Sequence, residues 1–388
     1  MSRRPILMIP GPVELPPAVQ SAGAEPPASH MDERFVASFG DALRLMRAVW
    51  EAPSGQPFVV SGSGTLAMEM AAANLVEPED RVLVTSSGVF GERFAEILER
   101  HGARVEVVRA PLGEAVDPEA VRSALDRGRF KAMTITHVDT STAVRTDPAP
   151  LAALAKEREV LTILDGVCSV GGEALHQAEW GIDVALTASQ KALAAPPGLA
   201  LVVASPDAME AWRRRKRPVR SYYADWGNWL PIMESYEEGR PRYFGTPPVT
   251  LVRALAAALS LAVEEGMVQR VTRHQRLGKA FRKGLGALGV VGVPASDGCA
   301  ASTLSCAHVP DGVAVARLVA ETATAGAIIA GGLHPEIRSR SFRVGHMGAV
   351  DATMLLATVD ALEQGLARCG HRFERGVGHA AAGDVLDG

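Results

Sequence analysis

Membrane-length apolar runs, paired cysteines and a large excess of either charge are all missing from this sequence. No stretch of about 18 consecutive apolar residues occurs, so no spanning helix is expected. Residues 5–10, behind Arg3 and Arg4, are too short for the apolar region of a secretory leader. Cys168, Cys299, Cys306 and Cys369 show no Cys-x-x-Cys spacing, which argues against a disulfide framework and against a zinc site. No metal is expected. Lys and Arg number 40 against 44 Asp and Glu, a formal charge of -4 that disfavours a nucleic-acid or anionic-membrane surface. The carboxyl end, Val385-Leu386-Asp387-Gly388, is not a peroxisomal signal. A reducing cytoplasmic setting follows, with small molecules or a second copy of the chain as partners.

What is present is an ordinary globular composition, 47% hydrophobic and 22% charged, on a chain of 388 residues. Single cores stop growing at roughly 250 to 300 residues, so more than one domain is expected. Two stretches organise the rest. Residues 160–167 and 184–191 are apolar runs that end abruptly in Asp165 and in Gln190-Lys191, as buried strands delivering polar groups at their carboxyl ends. In an open α/β sheet that edge is where ligands sit.

Ahead of them, residues 58–60 read as a strand running into Ser61-Gly62-Ser63-Gly64-Thr65 and then a helical stretch. Strand, glycine-rich loop and helix together aim free backbone N–H groups at one place and suit an anion such as a phosphate. It is not a P-loop, because no Gly-Lys-Ser/Thr follows. Further strands at residues 81–85, 103–108 and 131–136 alternate with helices, two of them opened by Asp117-Pro118 and Asp147-Pro148 as N-cap and first-turn proline. That alternation predicts a mostly parallel α/β sheet with helices on both faces.

Asp165 and Lys191 also match the chemistry of pyridoxal phosphate: a lysine amine to condense with the coenzyme's aldehyde, and a carboxylate to keep the pyridine nitrogen protonated. The segments Leu164-Asp165-Gly166-Val167-Cys168-Ser169-Val170-Gly171-Gly172, Ser189-Gln190-Lys191-Ala192-Leu193 and Pro196-Pro197-Gly198 resemble the class V, fold type I aminotransferases, nearest the alanine–glyoxylate and serine–glyoxylate branch. The similarity runs from Pro10-Gly11-Pro12 to about residue 370.

The resemblance implies a sheet of about seven strands with a smaller C-terminal α+β domain. The divisions expected are an extended N-terminal arm over 1–20, a large cofactor domain over 21–265 and a small domain over 266–388. It further implies phosphate contacts from Ser63, Gly64, Thr65 and Gln190, a ring stacked on Phe90, and Thr140 at the ring hydroxyl. Tyr243 and Thr246 are implied to reach the phosphate of a second subunit, making the protein a homodimer with sites at the interface. Arg343 is implied to bind the substrate α-carboxylate and Gly11 to let the backbone approach it. Ala143 stands where relatives usually carry glycine, and Gly166 where Ser or Ala is more usual.

The expected activity is transamination of alanine or serine with glyoxylate or pyruvate as acceptor, ureidoglycine being an alternative donor. No second substrate-binding arginine is evident, which disfavours dicarboxylate donors. A cysteine-desulfurase-type lyase would need Cys299 or Cys306 on a mobile loop, and a non-catalytic cofactor-fold protein would not need Asp165, Lys191 and Arg343 together. His137 reads as a packed histidine rather than the base, since a lysine is available. Residues 222–236 concentrate aromatics and are expected at an interface. The basic run 213–217 reads as a solvated helix end, and the tail past Arg372 is weakly patterned.

Overall fold

Apolar runs with β-branched residues and short polar ends form a central seven-stranded sheet in the computed structural model, which describes residues 4–388. In chain order its strands are β1 (Gln56–Ser61), β2 (Arg81–Ser86), β3 (Arg104–Arg109), β4 (Ala132–Thr136), β5 (Leu161–Asp165), β6 (Val184–Ala188) and β7 (Leu199–Ala204). Their spatial order is β1-β7-β6-β5-β4-β2-β3. β7 alone runs against its neighbours, pairing antiparallel with both β1 and β6, and the remaining pairs are parallel. Strands β4, β6 and β7 are buried along their whole length, as expected where helices cover both faces.

The parallel direction carries the ends of β1, β2, β4, β5 and β6 to one edge. Thr136 pairs with Asp165, and Asp165 with Leu186, so β4 and β5 end level and β6 runs on to Ala188 at the same edge. The capping residues are those the sequence indicates: Asp117 accepts from Glu119 N at 3.0 Å and Asp147 from Ala149 N at 3.1 Å.

A second, smaller body has its own apolar cluster, built on Leu277, Phe281, Leu318, Phe342, Val344, Leu355, Val359 and Leu362. Its antiparallel sheet joins Leu304–His308, Ser341–Gly345 and Ala330–Gly331. A third cluster, including Val13, Val138, Cys168, Leu304 and Met347, knits the two bodies together behind the sheet edge.

Two expectations are corrected, and two segments left open gain a structure. The N-terminal arm gives way to a helix, Pro17–Ala24, because Pro17 occupies a first-turn position where its missing N–H costs nothing. Before it, Ile6–Leu7 pairs in parallel with Ala327–Ile328. The aromatic stretch is mostly interior: helix Trp226–Glu237 buries Trp226 against Phe58, ring centroids 5.1 Å apart, and Tyr236 against Phe39 at 4.6 Å, leaving Tyr222 and Tyr223 outside. The tail forms helix Val377–Asp387, packed on helix Met267–Ala287. Its glycines and alanines give little pattern, and its free amides are satisfied from elsewhere: Glu363 accepts from the N–H groups of Gly376, Gly378 and His379. The basic run also does more than end a helix, since Arg215 donates to the carbonyls of Asn74 and Val76 at the close of helix Gly64–Leu75.

Candidate active site

Asp165 closes β5 and is almost wholly buried. Burial pushes its carboxyl up to about 7, offset in part by the bond it accepts from Val167 N at 3.0 Å and by the charge of Lys191. Such a group has no cation bonded to it directly. Lys191 follows on the turn after β6, one strand over. Its ammonium donates to the carbonyl of Pro10, so the N-terminal segment lies directly on the lysine. There Gly11 has φ +92 and sits so close that a Cβ would stand 2.6 Å from Lys191 Cδ and 3.0 Å from Nζ.

Gly64 opens helix Gly64–Leu75 against the same edge, where a Cβ would meet Val167 Cγ2 at 2.7 Å. Ser63 is the N-cap residue, yet its hydroxyl caps nothing, and Thr65 follows exposed in the first turn. The helix therefore offers first-turn amides and two hydroxyls to an anion at a positive helix end. Gln190 adds a buried amide oxygen with no hydrogen-bond partner.

Phe90 begins helix Val89–Arg100, whose N-cap position, Gly88, has no side chain to cap with. The loop after β4 supplies the cap instead. Asp139 accepts from Phe90 N at 2.8 Å and from Ser141 N at 2.8 Å, and Ser141 Oγ accepts from Val89 N at 3.1 Å. A Cβ on Gly88 would collide with Asp139 and Ser141. Asp139 and Ser141 lie in the segment 136–143 that resembles the family's, but no capping role follows from that resemblance. Within that loop Thr140 Oγ1 donates to Cys168 Sγ at 2.9 Å. Ala143 takes the left-handed conformation, φ 60, that glycine would adopt freely.

Arg343 reaches this loop from the smaller body. Its Nε donates to Gly331 O at 3.0 Å and one terminal nitrogen to Thr140 O at 3.3 Å. Burial holds its pKa below the usual arginine value, and among the described residues it has no carboxylate partner. A half-buried guanidinium with a free end is suited to a bidentate carboxylate.

The edge thus gathers Gly11, Ser63, Gly64, Thr65, Phe90, Thr140, Asp165, Gln190, Lys191 and Arg343. Tyr243 and Thr246 are not among them: both are exposed, Tyr243 at 62%, with its ring 5.4 Å from that of His30. His137 is buried and pushed down to about 3 by burial and by Arg145, hence neutral. Asp183 lies at the opposite end of the sheet, bound to Thr162. No group of side chains able to hold a metal occurs among the described residues, and no described helix is long and apolar enough to cross a membrane.

Comparison with known proteins places the chain in one family. Over 357 residues the chain is 40% identical to alanine–glyoxylate aminotransferase 1 of Saccharomyces cerevisiae, covering 88% of this chain and 91% of that protein. Its structure superposes on alanine–glyoxylate aminotransferase from Nostoc sp. with a TM-score of 0.88 at 32% identity, over 94% of this chain and 96% of that one. With ureidoglycine–glyoxylate aminotransferase from Bacillus subtilis the TM-score is 0.91 at 26% identity, over 100% and 99%. The family model described as aminotransferase class-V matches residues 20–347. These matches establish that the chain belongs to the class V aminotransferases and is an enzyme of that kind.

Proposed function

We propose that this aminotransferase uses pyridoxal phosphate to move the amino group of a small amino acid, alanine foremost and serine or ureidoglycine as alternatives, to glyoxylate or pyruvate. The observation that carries the reading is the arrangement of Asp165 and Lys191 on adjacent strand ends with Arg343, lacking any carboxylate partner among the described residues, facing the same edge. The names of the relatives favour glyoxylate as acceptor.

The residues fit the coenzyme. Asp165, raised to about 7 by burial, gains the cationic partner it lacks if a protonated ring nitrogen faces it. The uncapped start of helix Gly64–Leu75, with Ser63, Gly64, Thr65 and Gln190, suits the phosphate. Phe90 would supply an aromatic face for the ring, and the Thr140 hydroxyl, here bonded to Cys168, would be the group to meet the ring hydroxyl. When bound, the coenzyme supplies the electron-accepting ring that tolerates loss of a proton from the substrate Cα.

This chain's residues do the rest. Arg343 holds the α-carboxylate, and Gly11 leaves room for it beside Lys191. Lys191 Nζ takes the Cα proton as a base and returns it as an acid. Tyr243 and Thr246 complete the phosphate site of a second copy, so the working unit is a homodimer. Residues 21–265 form the cofactor domain and 266–388 the smaller domain, a division supported by the turn at Gly266, φ +83, and by the separate apolar clusters. A cytoplasmic location suits the four free thiols.

A lyase reading that uses Cys306 is disfavoured. Cys306 lies on a strand and burial pushes its thiol up to about 12, the reverse of an activated nucleophile. The test is a donor panel of alanine, serine, ureidoglycine and aspartate against glyoxylate and pyruvate, following oxo-acid formation. Alanine with glyoxylate is expected to give the highest kcat/KM. Sulfide release from cysteine without any oxo acid would overturn the reading. Lys191→Ala should abolish both transfer and the visible absorbance that coenzyme retains on the wild-type protein after gel filtration.

A further inference from the structure

Arg93 lies three residues after Phe90 on helix Val89–Arg100, so the two share a face. Its guanidinium carbon stands 4.6 Å from the Phe90 ring centroid, over the ring. The same group donates to Thr65 Oγ1 at 3.3 Å, in the first turn of helix Gly64–Leu75. Neighbouring arginines are neutralised: Arg100 by Glu96, Arg104 by Glu79 and Arg109 by Glu92. Arg93 is half-buried and has no carboxylate partner among the described residues. Its charge nonetheless reaches Asp165, where it favours the anion.

We infer that Arg93 is a positioning residue that clamps Phe90 and Thr65 into one unit, fixing the aromatic plate relative to the phosphate loop through its flat guanidinium. The inference rests on the coenzyme reading of this edge. One face of the Phe90 ring is covered by Arg93, which leaves the other for the coenzyme. The Phe90 amide is already tied to Asp139, so the backbone is fixed from one side and the ring from another. Thr65 gains a set orientation from the same side chain. Without the clamp, the ring-stacking and phosphate-binding parts of the site must be ordered anew each time coenzyme binds, and that ordering cost appears as lost affinity.

A clamp and a plain positive charge make different predictions. Lysine keeps the charge but can neither lie flat on a ring nor fork toward a hydroxyl. The experiment measures the Kd for pyridoxal phosphate of apoprotein carrying Arg93→Lys, Arg93→Met, Phe90→Leu and the double change Phe90→Leu/Arg93→Lys, with the thermal midpoint of each apoprotein alongside. Expected are a roughly tenfold weaker Kd for both Arg93 variants, apoprotein midpoints near the wild-type value, and a double variant no weaker than Phe90→Leu alone. A wild-type Kd in Arg93→Lys, or additive losses in the double variant, would overturn the clamp. So would a lowered midpoint with Kd unchanged, which marks a purely structural arginine. Failure of the coenzyme reading itself is separately visible, as absence of pyridoxal phosphate binding to the wild-type apoprotein.

Discussion

Gly11 and Lys191 are in contact although about 180 positions separate them in the chain, with the lysine's ammonium bonded to the carbonyl just before the glycine. A methyl group at position 11 would overlap the lysine chain at 2.6 Å and would sit on a backbone with φ +92, which L side chains rarely adopt. Gly11→Ala should therefore cost catalysis more than stability. The expected result is a fall of roughly a hundredfold or more in kcat, since small misplacements of a catalytic group cost that much. Single-turnover kinetics would check it, and an unchanged kcat would show that the arm moves aside during turnover.

Arg343 gives a prediction of a different kind. If its free end binds the α-carboxylate, Arg343→Ala should raise KM for amino donor and oxo-acid acceptor together, each by roughly ten- to a hundredfold, from a charge-assisted bond of about 1.5 to 3 kcal/mol. Steady-state kinetics with both substrates varied would test this. A change confined to one substrate would place the other's carboxylate elsewhere.

Asp165 ties the site to pH. Its carboxyl sits at about 7 in the fold against an ordinary value of 3.8, so the folded chain keeps a proton that the unfolded chain has released. The stability linked to that proton is present at low pH and is lost as pH rises from about 4 to about 7. Coenzyme-free Asp165→Asn should consequently melt above the wild-type apoprotein at pH 8, by an amount on the order of 2 to 4 kcal/mol, and match it near pH 4. The same variant should bind pyridoxal phosphate more weakly. Calorimetry of both apoproteins at the two pH values would check the sign, and an equal gap at both would show that the carboxyl is not held protonated.

Tyr243 and Thr246 can be tested by mixing subunits. If they serve the neighbouring copy, Lys191→Ala and Tyr243→Phe/Thr246→Ala chains, each poorly active, should recover activity when denatured and refolded together. Half the refolded dimers would then contain one intact site, giving about a quarter of wild-type activity by random pairing. No recovery would mean that each chain completes its own site.

Much of the fold and of the candidate site is legible in the sequence, and the reasons are local. Asp165 and Lys191 stand where apolar runs stop, and a parallel sheet needs nothing further to bring such ends to one edge. Asp117 and Asp147 announce their helices by cap and proline alone. The capping role of Asp139 and Ser141 stays hidden because the helix they cap lies some fifty positions earlier in the chain, a relation with no periodic trace. The tail helix is hidden for the same reason, its amides satisfied by Glu363 from the helix before it. Trp226 and Tyr236 mislead because aromatic density marks a core as readily as an interface.

The pairing of Ile6–Leu7 with Ala327–Ile328 has a bearing on how the protein is made. Residues that leave the ribosome at the outset have no strand to join until more than four-fifths of the polypeptide has emerged, and only then can Pro10 close over Lys191. The strand that anchors this segment therefore forms near the end of synthesis, and nascent fragments lacking residues 327–328 would carry Lys191 without that anchor for its cover.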